Sequence, residues 1–350
     1  MLSYRIKMIS LVLSLALTAS GCSDRAQEDK QSSAAQTTTA AAETTQVQTT
    51  EKAPDEQPPA DRETTTAQEG ITPAMWKIDT PKGHTIYLLG SMHALPDSAY
   101  PLPEVITKAY NEAETVAFEC DVTNASSIEY QSLLLKAMYN EDGTKLSEII
   151  SPEGYKALGE YLESFGMTVS AFDVFRPWVV SNQLDSIAIN YTDLKSENGI
   201  DKVLLKQTKA DGKDVFEIES VEFQIDMLMN FSDELYDLQF RTLDGKSKDD
   251  TVKSLEDLYE AWAKGDTDKL YEINCSEEQE MSDEDAALAE DYDKQMLTDR
   301  NAGMEKAIKD FVEKDDKNVL VVVGAMHYVS DESILDLLDR DGIKHERIEY

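Results

Sequence analysis

Apolar and polar residues divide the chain into three stretches of different character. Residues 8–19 are almost wholly apolar and follow Arg5 and Lys7, whereas residues 23–70 are rich in Thr, Ala, Gln, Glu, Ser and Pro. The apolar run is too short to cross a bilayer as a helix but suits the core of a signal peptide. The polar stretch lacks the apolar surface that would offset the entropy of ordering. We therefore expect a signal peptide over residues 1–22, a disordered tether over 23–70 and one globular domain over 71–350.

Within residues 71–350 the hydrophobic spacing changes repeatedly between strand and helix patterns, which predicts an α/β domain. Two β-like runs on either side of Pro81, Lys82 and Gly83 predict a hairpin, and the apolar run VLVVV at 319–323 predicts a strand covered on both faces. The predicted strands cover residues 75–78, 85–89, 115–122, 215–219, 319–323 and 346–350. The predicted helices cover residues 103–114, 126–138, 152–165, 174–189, 200–210 and 332–339, and others lie between 221 and 314, where the acidic stretch 276–290 is expected to be a solvated helix.

The net charge of the chain limits which classes of partner it can bind. The formal net charge is −36, which repels nucleic acid and anionic lipid headgroups, so we expect no nucleic-acid partner. The acidic residues are spread along the whole chain, which favours a role in solubility over a cation-attracting cleft.

The cysteines are Cys22, Cys120 and Cys275, with no CxxC pair. Small residues, Ala19 to Gly21, precede Cys22 and resemble a bacterial lipobox, so we expect Cys22 to carry lipid and to hold the protein on the extracytoplasmic side of the cell membrane. A lipobox usually has Leu where this chain has Ala19, so ordinary signal cleavage nearby, with Cys22 an incidental thiol, is the alternative.

Two segments far apart in the chain share one pattern. TIYLLGSMH ends at His93 and VLVVVGAMH ends at His327, and each consists of a strand followed by Gly, a small residue, Met and His. Glycine at the end of a strand permits close backbone approach, so each histidine is expected above the carboxyl edge of the sheet, where open α/β sheets bind ligands. A histidine that caps a strand end by hydrogen bonding is the alternative for either one alone.

With these paired GxxH motifs, residues 72–350 resemble the TraB/GumN family, which includes the Tiki proteases. The resemblance implies a mixed central sheet with paired strand–GxxH turns and a large helical insertion, related to ChaN-like and erythromycin esterase-like folds. Some members of the family look like metal-dependent peptidases. The further matches are Trp76, Glu119, Gly199-Ile200-Asp201, Gly212-Lys213, Ile218-Glu219-Ser220, Gln224, Arg300, Asn301 and Met304.

Two neutral imidazoles and one carboxylate form a ligand set that leaves a coordination position open for water, as a hydrolytic metal requires. The expected ligands are His93, His327 and Glu119. Zinc, manganese, cobalt and ferrous iron all suit this divalent site. Cys120 follows Glu119 in the predicted strand, so its side chain is expected to point away from the site.

Three further residues are candidates for catalysis. Glu219 is expected to be a general base or to orient the ligands, and Arg300 to bind a substrate carboxylate or stabilise an oxyanion, with Asn301 as a second donor. A buried Arg300–Glu219 ion pair, and a strand-end contact for Glu119, are the structural alternatives.

The chain lacks HExxH, GxSxG, Walker A and GxGxxG signatures, which removes the common hydrolase and nucleotide-binding folds. The leading hypothesis is a metal-dependent hydrolase of the cell envelope, a peptidase acting on extracytoplasmic peptides or a hydrolase of small molecules. The alternatives are a lipoprotein that binds a metal or metal complex without turnover, and a catalytically silent interaction domain.

Overall fold

The computed structural model describes residues 2–5, 70–123, 128–140, 142–275, 278–314 and 316–350. The lipidation candidate Cys22, most of the expected signal peptide and the expected tether up to residue 69 lie outside the described residues. Among the described residues, no helix combines the length and the apolarity needed to cross a membrane.

The described elements follow the order strand, hairpin, helix and then a long helical stretch interrupted by single strands. In chain order the strands are β1 (Leu2–Arg5), β2 (Met75–Asp79), β3 (Thr85–Ser91), β4 (Thr115–Phe118), β5 (Asp214–Glu217), β6 (Glu278–Met281), β7 (Val319–Gly324) and β8 (Glu346–Arg347). The helices are α1 (Glu104–Glu112), α2 (Ile128–Met138), α3 (Leu146–Ile149), α4 (Pro152–Ser164), α5 (Pro177–Ile189), α6 (Ile200–Asp211), α7 (Val221–Asn230), α8 (Asp233–Arg241), α9 (Lys248–Ala263), α10 (Thr267–Cys275), α11 (Asp283–Asp293), α12 (Asp299–Lys314), α13 (Met326–Val329) and α14 (Ile334–Arg340). A π-helical turn, Lys294–Thr298, joins α11 to α12.

Six of these strands form one mixed sheet in the order β5-β4-β7-β3-β2-β8. Strands β5, β4, β7 and β3 are parallel, and β2 pairs with β3 in the predicted antiparallel hairpin. A separate antiparallel ribbon joins β1 to β6. The α/β class, the mixed sheet and the abundance of helix are therefore as predicted.

Strand β7 shows why the sheet sits at the centre of the domain. Leu320 and Val322 pack on one face with the Trp262 side chain, whereas Val321 and Val323 pack on the other with Met304. Successive side chains of a strand point to opposite faces, so this unbroken apolar run supplies both cores. The predicted double coverage of this strand is confirmed.

Two of the predicted elements show the larger differences from the structure. The strand predicted over 115–122 ends at Phe118, because the chain leaves the sheet at Glu119 to place that carboxylate at the sheet edge. The acidic stretch predicted as one helix holds β6 and then α11, whose first turn begins after the N-cap Ser282. The Ser282 hydroxyl accepts from the Asp285 N–H, a capping bond that fixes the helix start there.

Candidate functional site

The candidate residues gather where the parallel strands end. Strands β3, β4, β5 and β7 all have their carboxyl ends at one edge of the sheet. His93, Glu119, Glu219 and His327 each follow the last residue of one of these strands by one to three positions. Parallel strands thus bring together residues that are more than two hundred positions apart in the sequence, as the paired motifs predicted.

The two GxxH turns contact each other directly. The Ala325 N–H donates to the Ser91 carbonyl oxygen at 2.9 Å. A Cβ atom on Gly90 would lie 3.2 Å from both Cα and Cβ of Ala325, so a side chain there would be crowded and Ala325 would have to shift by a few tenths of an ångström. The Trp262 indole N–H donates to the Gly90 carbonyl oxygen at 2.9 Å and holds the first turn against α9.

His93 is anchored through one ring nitrogen. Its Nδ1 lies 3.0 Å from Oδ2 of Asp201, in the first turn of α6, and its side chain is 21% exposed. Burial acts to lower the pKa of His93, but the charge and hydrogen bond of Asp201, with Glu119, outweigh it and raise that pKa. When the ring is neutral, Nδ1 carries the proton that Asp201 accepts and the lone pair lies on Nε2.

Gly199 allows α6 to approach this histidine. A Cβ atom there would collide with the carbonyl oxygen of His93, and the next residue, Ile200, donates its N–H to the Met92 carbonyl oxygen at 3.1 Å. The Gly199-Ile200-Asp201 segment therefore docks the helix start on the first GxxH turn.

His327 is anchored in the same way by a different partner. Its Nδ1 lies 2.7 Å from Oδ1 of Asn301, whose Nδ2 donates to the Glu332 carbonyl oxygen at 3.0 Å and to Ser330 Oγ at 3.3 Å. These donations fix the amide orientation, so Nδ1 of His327 carries the proton and Nε2 the lone pair. Burial, reinforced by the Arg300 charge, lowers the pKa of His327 to about 3, and its ring is neutral at physiological pH.

Both imidazoles line one cavity of about 100 Å³. Its remaining wall is mostly apolar, with Met92, Trp262 and Met296 among the lining residues. Ser91 also lines it, and the buried Ser91 hydroxyl has no hydrogen-bond partner among the described residues. The cavity thus offers two imidazoles and a hydroxyl within apolar walls.

Glu119 lies beside His327. Its Oε1 accepts the Gly324 N–H at 2.6 Å and lies 3.8 Å from Nε2 of His327. Burial acts to raise the pKa of Glu119, but the charge of Arg300, assisted by the two histidines, lowers it to about 2. Glu119 is therefore a carboxylate at any ordinary pH, although Arg300 and the Gly324 N–H already use part of its accepting capacity.

Arg300 forms the buried ion pair that the sequence left as an alternative. Its guanidinium donates to Glu219 from Nε and Nη2, each at 2.9 Å, and to Glu119 Oε2 at 2.6 Å. Nη1 donates to the Met296 carbonyl oxygen at 3.3 Å, within the π-helical turn. Arg300 is only 2% exposed, and these bonds are all within the protein, as in the structural alternative. Its contact with a substrate carboxylate stays a prediction.

Glu219 and Asn301 also have partners within the protein, and for Glu219 these agree with the expected orienting role. Both oxygens of Glu219 accept from Arg300, and Oε2 also accepts from Gln224 Nε2 at 2.9 Å. Asn301 uses its amide donors inside the protein and its oxygen on His327, so it supports that histidine. Its role as an oxyanion donor stays a prediction.

The orientation expected for Cys120 is wrong. Its side chain is buried, as expected, but Sγ donates to Gln224 Oε1 at 3.3 Å, and Gln224 Nε2 lies 3.2 Å from Glu119 Oε2. Strand alternation fails for this residue because β4 has already ended at Phe118.

The anchoring of the two histidines resembles that of metal-ligating histidines. Ligating histidines characteristically give their second ring N–H to a carboxylate or carbonyl group, as both of these do to Asp201 and Asn301. Among the described residues, however, no three His, Cys, Asp or Glu side chains are grouped so that they could hold a metal ion as they stand. Sequence reasoning missed the anchoring role of Asp201, although the Gly-hydrophobic-Asp match had singled out the segment.

Together, the fold and the site define a class of α/β protein in which two strand–GxxH turns present anchored histidines to a shared cavity. The chain belongs to the TraB/PrgY/gumN family, whose model matches residues 74–347. This confirms the resemblance drawn from the motifs.

Its relatives include the uncharacterized protein YbaP of Escherichia coli (strain K12) and that of Shigella flexneri. Each is 28% identical over 156 residues, which cover 45% of this chain and 56% of the relative. The chain therefore spans about half the length of the curated relatives it matches. No solved structure matches it.

Proposed function

We propose that this protein is a metal-dependent hydrolase of the cell envelope, a peptidase, whose metal is held by Nε2 of His93 and Nε2 of His327. Glu119 Oε1 is the third ligand. The observation that carries the proposal is the matched anchoring of the two imidazoles, each with its Nδ1–H on a fixed acceptor and each lining the same cavity. Two histidines that only capped the ends of their strands would not need to line the same cavity.

The charges around the site support ligand roles for His327 and Glu119, whereas His93, whose pKa is raised by Asp201, must lose a proton from Nε2 before it can coordinate. His327 is neutral because burial and Arg300 depress its pKa, and Glu119 is ionised because Arg300 stabilises its charge. A ligand must be free of its proton before it can coordinate. The Arg300–Glu219 pair, with Gln224, holds Glu119 in place from the side away from the histidines.

A bound divalent ion would polarise a carbonyl group and lower the pKa of water toward neutrality, so ionising that water need not depend on a protein base. The chain itself would contribute two things. Its apolar cavity would exclude bulk water, and the Ser91 hydroxyl would form a hydrogen bond with the substrate. In this proposal Glu219 is a positioning residue, because its oxygens are occupied by Arg300 and Gln224.

The first experiment measures metal binding by calorimetry with Zn²⁺, Mn²⁺, Co²⁺ and Fe²⁺ separately. His93→Ala, His327→Ala and Glu119→Gln should each weaken binding, whereas His84→Ala, outside the site, should leave it unchanged. Wild-type affinity in the His93→Ala, His327→Ala double variant would refute the site. Cleavage of a peptide library, followed by mass spectrometry with each metal, tests the hydrolase activity.

A metal-binding role without turnover is the second candidate. It is favoured by the engagement of Arg300 and Glu219 with each other, which leaves neither available to a substrate or to a proton from water. Metal binding at this site combined with no cleavage under any of the four metals would select this candidate over the hydrolase.

A further inference from the structure

The cavity lined by His93 and His327, which we call the histidine cavity, has a more exposed end and a buried interior. Most of its half-buried lining residues, among them His93 and Met326, belong to the two GxxH turns. Its other lining residues include Trp262 and Met296, of which the first is 1% exposed and the second 0%. A group that enters from the turns is therefore surrounded by buried apolar side chains.

The lining of the histidine cavity offers little to a charged group. Among the described residues, this lining includes no Asp, Glu, Lys or Arg. A cation would therefore find no carboxylate on the wall. Of the two imidazoles that could face an anion, one already pairs with Asp201 and the other with the uncharged amide of Asn301. Burying a charge without a partner costs far more free energy than burying a neutral group, so the interior favours an uncharged ligand.

One polar group inside the histidine cavity is unsatisfied. Ser91 is 4% exposed and lines the cavity, and its hydroxyl has no hydrogen-bond partner among the described residues. A buried polar group without a partner is unfavourable, so a ligand that supplies the partner gains affinity. A neutral amide group can donate to this hydroxyl or accept from it without bringing a charge into the cavity.

The size of the histidine cavity limits the group that it accepts. Its volume is about 100 Å³, roughly two-thirds of the apolar cavity of about 150 Å³ that holds benzene. This space suits an aliphatic group of about four carbon atoms, as in the side chain of leucine, rather than an aromatic ring. Leu255 and Leu258 of α9 also line an adjoining cavity of about 470 Å³. They lie between the two spaces and therefore bound the smaller one.

We propose that the histidine cavity binds an uncharged aliphatic side chain of the substrate, of about the size of leucine, and that the Ser91 hydroxyl bonds the neighbouring backbone amide. The substrate class is thus a peptide that carries an aliphatic residue beside the bond to be cleaved. This rests on the proposed function, since the histidines that hold the metal line the same cavity. Leu258 is the residue that limits the size of the accepted side chain.

Binding can be tested without metal or turnover. The full chain, with isotopically labelled methionine methyl groups, would be titrated in EDTA with N-acetyl-norleucinamide and N-acetyl-lysinamide, which differ by a terminal ammonium. The norleucine amide should bind about tenfold or more tightly than the lysine amide. It should shift the NMR signals of the lining residues Met92, Met296 and Met326 but not that of Met227, which lies outside the cavity. Equal affinity for the two amides, or no shift of the three lining methyl groups, would overturn the proposal.

Leu258→Ala tests the limit on size. It removes part of the wall toward the larger space, so the affinity for N-acetyl-phenylalaninamide should rise by about tenfold relative to that for the norleucine amide. Leu335→Ala is the matched control, because it shortens a half-buried leucine of α14 outside the cavity, and it should leave this ratio unchanged. An unchanged ratio in Leu258→Ala, or an equal change in Leu335→Ala, would refute the role of Leu258.

Ser91→Ala separates a binding role from a structural one. The norleucine amide should bind about two- to tenfold more weakly, because one hydrogen bond to the ligand is lost. The melting temperature of the ligand-free protein should stay the same or rise, because an unsatisfied buried hydroxyl has been removed. A lower melting temperature together with unchanged binding would show that Ser91 is structural and does not contact the ligand.

The aliphatic selectivity and the proposed function can fail separately. If the wild-type protein binds the norleucine amide but none of the four metals, only the proposed function is refuted. If peptides are cleaved, the cleaved bonds should adjoin an aliphatic residue of about the size of leucine. Cleavage beside lysine or tryptophan as readily as beside leucine would refute the aliphatic selectivity and leave the hydrolase activity standing.

Discussion

Replacing Arg300 by methionine tests whether the buried ion cluster holds the sheet edge together. The guanidinium is 2% exposed and donates to two carboxylates, Glu119 and Glu219. Methionine fills a similar volume but supplies no charge and no donor. Both carboxylates would then be buried without their cation, and removing one partner from such a cluster costs about 3–5 kcal/mol of unfolding free energy.

The expected pH dependence follows from the direction of the pKa shift. In the wild type, Arg300 holds the pKa of Glu119 below its usual value. The Glu119 charge therefore contributes stability that is present above the unfolded-state pKa and is lost as pH falls from about 4.5 toward 2. In Arg300→Met, burial dominates and raises the pKa of Glu119, so protonation stabilises the variant in mild acid. The gap between the two proteins should shrink as pH falls from 7 to 5.

The assay is urea unfolding followed by circular dichroism, at pH 7 and pH 5, with EDTA present so that metal binding does not contribute. A matched triple variant, Arg300→Met with Glu119→Gln and Glu219→Gln, removes the three charges together and should recover most of the lost stability. A loss below about 1 kcal/mol in the single variant, or a gap that does not change with pH, would refute the reasoning.

Three other predictions address the anchors and the N-terminal segment. Asp201→Asn should weaken metal affinity by about 10- to 100-fold in calorimetry. Asp211→Asn, on the same helix, should leave metal affinity unchanged. Equal metal affinity in the two variants would show that Asp201 does not support His93 as a ligand. Gly199→Ala should lower both the melting temperature and the metal affinity, because the new methyl group collides with the His93 carbonyl oxygen. Gly303→Ala, which has open space around it, should leave the melting temperature unchanged or raise it. Indistinguishable melting curves for the two variants would contradict this prediction. Cys22→Ala should release the protein from the membrane fraction on cell fractionation, and unchanged membrane association would rule out lipidation at that residue.

The sequence predicted the parts of the fold that depend on local pattern. The hairpin, the doubly covered strand β7 and the meeting of the two GxxH turns all follow from spacing within short segments and from the geometry of parallel strands. The helix expected from residue 174 begins at Pro177 instead. A local signal was available there, since proline is favoured in the first turn of a helix.

The contacts that complete the site could not be predicted in this way. Asp201 reaches His93 only because Gly199 lets α6 dock on the turn, and Asn301 reaches His327 from a different helix, α12. These two hydrogen-bonded pairs depend on distances in the tertiary structure, which the spacing of hydrophobic residues along the chain does not predict. The packing of the helices on one another is likewise not predicted, because the sequence of each helix alone predicts only an amphipathic surface.

The contact between Gly90 and Ala325 couples the positions of the two GxxH turns. Ala325 occupies the space that a side chain at position 90 would need, and its N–H is bonded to the neighbouring Ser91 carbonyl oxygen. Displacement of one turn is therefore expected to shift the other. The distance between the two imidazoles is consequently set by backbone packing beneath them, so substitutions at positions 90 and 325 should tune that distance without altering either histidine.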